Sequence, residues 1–243
     1  ARIILFGMSN VGKSTFMNAI TNTDVKKGNY LHTTKTALAG TCEYENVKIQ
    51  LIDVPGFIDY REDWRLNRQI LRVARSADAI LLVIDLSYDV CNQYHYLFSQ
   101  LKSADLLIQE ESLCKVGILA TKGDLPGSKD NFKCLKNLTP FRIYPISINH
   151  ETRLTRSRKF LFNLLNIIRI YTQAPRKRPN FSDPIVCPKN TSVEDILGKI
   201  HSDFQNLFHY AKVWGTSVEN PGQHVGRKHP LKDGDIIEIV IQK

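Results

Sequence analysis

Cysteine is sparse and unpatterned in this chain of 243 residues. Its five cysteines, Cys42, Cys91, Cys114, Cys134 and Cys187, are odd in number and show no C-x-x-C spacing. That argues against a disulfide framework or a zinc site and for reduced, partly buried thiols of an intracellular protein. His224 and His229 share a loop but lack a cysteine partner, so no metal centre is expected there. Long apolar runs are missing too. Those present, such as residues 79–84, are strand-length, which supports neither a signal peptide nor a membrane span and points to a cytoplasmic chain with no membrane partner. Internal repeats and low-complexity segments are lacking. Acidic residues are in deficit, 24 against 33 Lys and Arg, for a net charge of +9. The excess is concentrated: residues 151–180 hold Arg153, Arg156, Arg158, Lys159, Arg169, Arg176, Lys177 and Arg178 against Glu151 alone. So one-sided a run favours a phosphate-rich partner over a merely solvated face.

What is present begins with Gly7-Met8-Ser9-Asn10-Val11-Gly12-Lys13-Ser14, a complete G-x-x-x-x-G-K-[ST] loop behind the apolar strand Ile3-Ile4-Leu5-Phe6. Gly7 and Gly12 allow a backbone tight enough for successive N–H groups, those of Ser9, Asn10, Val11 and Gly12 among them, to face phosphate oxygens. A helix starting near Lys13, with Thr15 in its first turn, adds its positive end. Lys13 reaches the β- and γ-phosphates in this reading, and the Ser14 hydroxyl holds Mg²⁺.

Further pieces follow at the spacings of a G domain. Asp53-Val54-Pro55-Gly56 closes the strand at residues 47–52, placing Asp53 at a strand's carboxyl end, where open α/β sheets bind ligands. Its carboxylate holds Mg²⁺ through water and the Gly56 N–H senses the γ-phosphate. Thr121-Lys122-Gly123-Asp124 ends the apolar stretch 116–120 as a variant of the guanine-reading N-K-x-D motif. The Asp124 carboxylate can accept N1–H and N2–H₂ of guanine together, which adenine cannot supply, and the Lys122 stem can lie along the base. Thr121 replaces Asn, so one base contact is shortened or lost. Ser147 and Ile148, after the strand 142–146, occupy the loop that covers the base edge. Between the phosphate loop and Asp53 lies a Thr-rich stretch at 30–40. A Thr there can ligate Mg²⁺ while its N–H meets the γ-phosphate; Thr34 is favoured over Thr33.

Strands alternate with helical segments up to about Tyr171, which predicts a mostly parallel, doubly wound α/β sheet. The stretch Gln173-Ala174-Pro175-Arg176-Lys177-Arg178-Pro179 reads as a linker. Beyond it a strand at 185–187, a capping box at Thr191-Ser192-Val193-Glu194, a helix to about Leu207 and short late strands fit a β-grasp fold. The expected division is 1–170 for the G domain and 171–243 for the small domain. The basic helix at the end of the first domain carries apolar residues from Phe160 through Ile170, too many for one stripe.

Together these residues resemble the DRG (developmentally regulated GTP-binding protein) branch of the Obg-type GTPases. The likeness rests on the T-T-x-T…G switch, the run at 68–85, and C-terminal motifs such as Tyr210-Ala211-Lys212-Val213-Trp214-Gly215 and Leu231-Lys232-Asp233-Gly234-Asp235, which resemble that family's TGS domain. Three departures stand out. About thirty residues, read as one helix over 92–107, replace the β-rich domain inserted in the family after the strand ending at Asp85. Residues 57–67 replace the family's glycine-rich switch with a glycine-poor, stiffer segment. The chain opens in its first strand at Ala1 without the family's preceding helices, as a trimmed portion of a longer protein would.

The resemblance implies a GTPase that uses GTP or GDP and Mg²⁺ and acts as a switch on ribosomes or ribosomal RNA, with a regulatory protein as a further partner and no DNA specificity. Lys13, Thr34 and Asn10 are the catalytic candidates, and Ser14, Thr34 and Asp53 the metal ligands. In potassium-activated members of the wider superfamily an Asn at the position of Asn10 helps hold K⁺. No Gln follows Gly56, so slow intrinsic hydrolysis is expected. The competing reading is a nucleotide-sensing adaptor that hydrolyses poorly and docks a protein through the TGS domain.

Overall fold

A computed structural model describes residues 1–21, 26–27, 37–56, 64–106, 115–147, 151–200 and 203–242; of 26–27, 64–67 and 151–153 it describes the backbone alone. The chain divides into two compact units: residues 1–44 with 48–165, and residues 45–47 with 166–243.

The first unit is built on a seven-stranded sheet: β1 (Arg2–Gly7), β2 (Lys26–Lys27), β3 (Leu38–Tyr44), β4 (Val47–Asp53), β5 (Ala79–Asp85), β6 (Lys115–Thr121) and β7 (Ile143–Pro145), in the order β2-β3-β4-β1-β5-β6-β7. The pairs β4·β1, β1·β5, β5·β6 and β6·β7 are parallel, and β2·β3 is antiparallel. Every residue of the central strand β5 is buried. A parallel strand covered on both faces needs apolar side chains in both directions, which is why Ala79-Ile80-Leu81-Leu82-Val83-Ile84 shows no alternation. Helices α1 (Lys13–Ile20), α2 (Trp64–Ala74), α3 (Val90–Ser103), α4 (Ser128–Leu138) and α5 (Glu151–Leu165) connect the strands. In α1 the buried apolar face is Phe16 and Met17 with Ile20 one turn further on. In α3, Asp89 caps the start by accepting from Asn92 N–H, and Tyr94, Leu97 and Leu101 reach the core that also holds Ile80, Leu82 and Ile118. α3 is the one described helix between β5 and β6.

The second unit has a five-stranded sheet of β8 (Ile167–Thr172), β9 (Asn180–Pro188), β10 (Phe208–Trp214), β11 (Gln223–Val225) and β12 (Ile236–Ile241), ordered β11-β10-β12-β8-β9. The parallel pair β12·β8 is flanked by β10 and β9, each antiparallel to the strand it meets, and α6 (Val193–Ile200) packs Val193, Ile196 and Leu197 onto Ile168, Ile170, Ala211 and Val213. Among the described residues no helix is long and apolar enough to cross a membrane.

Three expectations change in detail. The basic helix ends at Leu165, because Asn166 adopts a left-handed backbone (φ 50°) that stops α5. Ile167, Ile168 and Ile170 therefore lie on β8, and the surplus of apolar residues is a helix and a strand in series. The helix expected to reach Leu207 is two, α6 and the short α7 (Phe204–Leu207). The capping box sits one residue later than read. Ser192 N–H donates to an Asp195 carboxylate oxygen at 2.7 Å, as does the Ser192 hydroxyl, and Asp195 N–H points back to Ser192 Oγ at 3.4 Å. Thr191 is drawn away by donating its hydroxyl to Pro188 O at 2.7 Å.

These Ser192 hydrogen bonds hold the Asp195 carboxyl below its ordinary pKa. A depressed folded-state pKa adds stability above the unfolded value, near 3.9, and loses it as pH falls through the folded value. Ser192→Ala should cost about 1 kcal/mol in urea unfolding at pH 7. It should also move the Asp195 NMR titration up towards the free value.

Candidate nucleotide-binding site

The carboxyl ends of β1, β4, β5 and β6 bring the motif residues together. The loop from β1 into α1 turns at Asn10 (φ 61°) and Gly12 (φ 94°), both left-handed. Gly12 suits that conformation, and Asn tolerates it better than most side chains. A cavity of about 300 Å³ opens over the loop, lined by Ser9, Asn10, Lys13, Ser14, Leu38 and the 53–56 segment. Its size and polar lining suit a polyphosphate. Gly56 lies so close to the loop that a Cβ there would stand 2.5 Å from Ser9 N and Cα. The Asp-x-Pro-Gly turn thus reaches the phosphate loop only because residue 56 has no side chain.

Lys13 is buried and donates from Nζ to Gly7 O at 3.2 Å and to Met8 O at 2.7 Å. Burial lowers its pKa, an effect opposed by the Asp53 charge. Asp53 is buried as well, and burial raises its pKa against the Ser14 hydrogen bond and the Lys13 charge. Ser14 donates its hydroxyl to Asp53 Oδ2 at 2.5 Å, while Asp53 Oδ1 is buried with no hydrogen-bond partner. An orphaned buried carboxylate oxygen beside a hydroxyl is a donor set that fits Mg²⁺, which takes few protein oxygens and completes its shell with water and phosphate. Thr15 is exposed on the first turn of α1. Thr33, Thr34 and Ile148 lie outside the described residues.

On the base side, Thr121 is buried and donates its hydroxyl to Val11 O at 2.7 Å and Ile84 O at 3.2 Å. Its one hydroxyl proton is spent inside the protein, fastening the phosphate loop to β6. Lys122, left-handed at φ 56°, donates to Asn10 O at 3.3 Å and forms an ion pair with Asp85 at 2.5 Å. Asp124 is exposed and accepts no hydrogen bond from a described residue, so its carboxylate is open to a base. The Ser147 hydroxyl is buried without a partner next to Ile146, whose carbonyl accepts from Gly123 N–H at 3.4 Å.

Asp85 is the residue that motif reading passed over. It is 1% exposed, and Oδ1 accepts from Ser87 N–H and the Ser87 hydroxyl at 2.8 and 2.7 Å. Buried Gln93 brackets its backbone, accepting from Asp85 N–H at 2.9 Å and donating to Asp85 O at 2.8 Å. The available signal was a carboxylate closing an otherwise wholly apolar strand, the same placement that singled out Asp53.

Comparison with known proteins agrees with this geometry. Residues 2–118 match the family described as 50S ribosome-binding GTPase, and residues 168–241 match the TGS domain family. GTP-binding protein 1 of Schizosaccharomyces pombe is 27% identical over 304 aligned positions, covering 99% of this chain and 82% of that protein. Developmentally-regulated GTP-binding protein 2 of Homo sapiens is 28% identical over 303, with the same coverages. Both alignments exceed the 243 residues of this chain, so each includes positions with no counterpart here. Among solved structures, the G domain of the T. maritima FeoB iron transporter is similar with a TM-score of 0.52 at 24% identity, covering 68% of this chain and 98% of that one; this likeness concerns the fold. The phosphate loop, the base-side loop, the two domain matches and the near-full-length relatives agree: the chain carries a GTPase domain followed in sequence by a TGS domain, and over nearly its whole length it is similar to the developmentally regulated GTP-binding proteins.

Proposed function

We propose that this GTP-binding protein is a cytoplasmic switch that hydrolyses GTP slowly and uses its nucleotide state to control binding to ribosomes or structured RNA. The observation that carries the reading is a phosphate loop and a base-side loop brought together at the strand ends, in a chain whose excess positive charge is concentrated between residues 151 and 180. The description of the matched family, 50S ribosome-binding GTPase, points the same way. Lys13 must exchange its bonds to Gly7 O and Met8 O for phosphate oxygens, and Ser14 and Asp53 would hold Mg²⁺. When bound, the metal neutralises charge developing on the transferred phosphoryl group. Phe57 and Ile58 follow Gly56, so no Gln follows it to orient water as in Ras-like proteins; this supports slow turnover. A regulatory protein docking on the TGS domain would be a further partner.

Not every cation in the basic segment is free to meet phosphate. Arg158 donates to Ile20 O at 3.1 Å, and Arg169 chelates Asp233 through Nε and Nη2 at 3.0 and 2.7 Å, which holds its pKa above the ordinary value. Arg156 and Lys159 on α5 and Arg176, Lys177 and Arg178 after β8 are exposed. These five are the proposed phosphate contacts.

Three measurements test the proposal. With Asp124 reading guanine, the protein should prefer GTP over ATP by about 100-fold or more, and Asp124→Ala should erase most of that gap; equal affinity of the parent for both would sink the assignment. If Asn10 helps hold K⁺ between the phosphates, hydrolysis should be faster in KCl than in NaCl, whereas equal rates exclude the role. Each phosphate contact should add about 0.7–0.9 to the log–log salt slope of binding to ribosomal particles. Replacing Arg176, Lys177 and Arg178 with Ala should flatten that slope and weaken association while leaving GTP affinity nearly unchanged. Salt-insensitive binding, or a triple variant that binds as the parent does, would favour a role in solubility or an acidic protein partner.

A further inference from the structure

We propose that Cys91 and Cys134 are a dithiol modification site that closes to a reversible disulfide with a small-molecule disulfide such as oxidised glutathione, tying α3 to α4. Cys91 lies in the first turn of α3 and Cys134 midway along α4, and their sulfurs are 3.3 Å apart. That is about 1.3 Å beyond the bonded separation of about 2.05 Å. Both are partly exposed, whereas Cys42 and Cys187 are buried, at 2% and 1% exposure. The two helices are already fixed against the same core through Tyr94, Leu97, Leu101 and Leu135. The sulfurs therefore need little search to meet, and closing the bond asks for a small adjustment, not a rearrangement of the sheet.

The chemistry is two successive exchanges. A thiolate of one cysteine attacks a glutathione sulfur, forming a mixed disulfide and releasing one glutathione thiolate. The second cysteine thiolate then attacks the protein sulfur of that mixed disulfide, forms the Cys91–Cys134 bond and expels the second glutathione. Two protein thiols are oxidised, one oxidised glutathione is reduced to two thiols, and the two protein protons end on the glutathiones. The sulfur contact with Cys134 raises the Cys91 pKa, so exchange starts slowly at neutral pH and quickens as pH rises. Such pairs inside cells are typically transient and sensing, not structural.

Position gives the bond a consequence. α3 follows the loop of Asp85, which pairs with Lys122, and α4 follows the Thr121–Asp124 loop itself. Asn131 of α4 already donates to Leu86 O at 2.9 Å. A bond between residues 43 apart in sequence would remove chain freedom from the unfolded state and clamp the two helices that carry the base-side loops.

The test is to incubate the full chain with excess oxidised glutathione, map its tryptic peptides without reduction, and record thermal unfolding. The expected product is a peptide pair linked through Cys91 and Cys134, with a Tm raised by about 5–10 °C and both changes reversed by dithiothreitol. Cys114→Ser should retain the link and the rise; Cys91→Ser and Cys134→Ser should each lose both. A link through Cys114, stable glutathione adducts alone, no product, or a Cys91–Cys134 link without a higher Tm would each overturn the proposal.

Discussion

The hydroxyl of Thr121 holds the rest of the site in register. By donating to Val11 O it joins the end of β6 to the loop between β1 and α1, across 110 residues of sequence. Lys122 repeats the connection at Asn10 O. The two turns proposed to meet opposite ends of one nucleotide are thus fastened to each other by the protein. The arrangement is stiff because the anchor is buried: a hydroxyl withdrawn from water that lost its acceptor would carry the cost of an unmade hydrogen bond, about 1–3 kcal/mol. Beneath it, β5 is buried on both faces and sets the spacing between the β1 and β6 ends.

The second anchor is electrostatic. Asp85 is almost wholly out of water and would be costly without partners. It is held by Ser87, by Gln93 through its backbone, and by Lys122. Lys122 has some exposure, so the pair sits at the boundary between core and solvent, and the attraction positions the lysine more than it stabilises the fold.

The contiguous parts of the site were legible in the sequence because their chemistry requires neighbours in the chain. A loop that wraps a phosphate needs its glycines, lysine and serine within eight residues, and Asp53 and Asp124 announce themselves by closing apolar strands. Asp85 closes an apolar strand as Asp53 does, but its pairing with Lys122 left no trace, since Asp85 ends β5, Lys122 follows β6, and the two meet only once those strands are in register. Local ambiguity explains the misplaced details. Thr191 and Ser192 are both competent helix caps, and what separates them is the Pro188 carbonyl, which lies outside the motif. The apolar residues resume at Ile167 after the single polar Asn166, so the change from helix to strand hinges on the left-handed backbone of that one residue, a stop that Asn can supply but does not impose.

Lys13 is already satisfied by the protein, through two carbonyls of its own loop. A phosphate arriving there trades those contacts for new ones, and only the difference counts towards affinity. A departing nucleotide, by the same accounting, leaves behind a lysine with partners at hand instead of a buried ammonium without any. The net value of any contact made by Lys13 is therefore smaller than the same contact would be worth to a buried ammonium with no partner of its own.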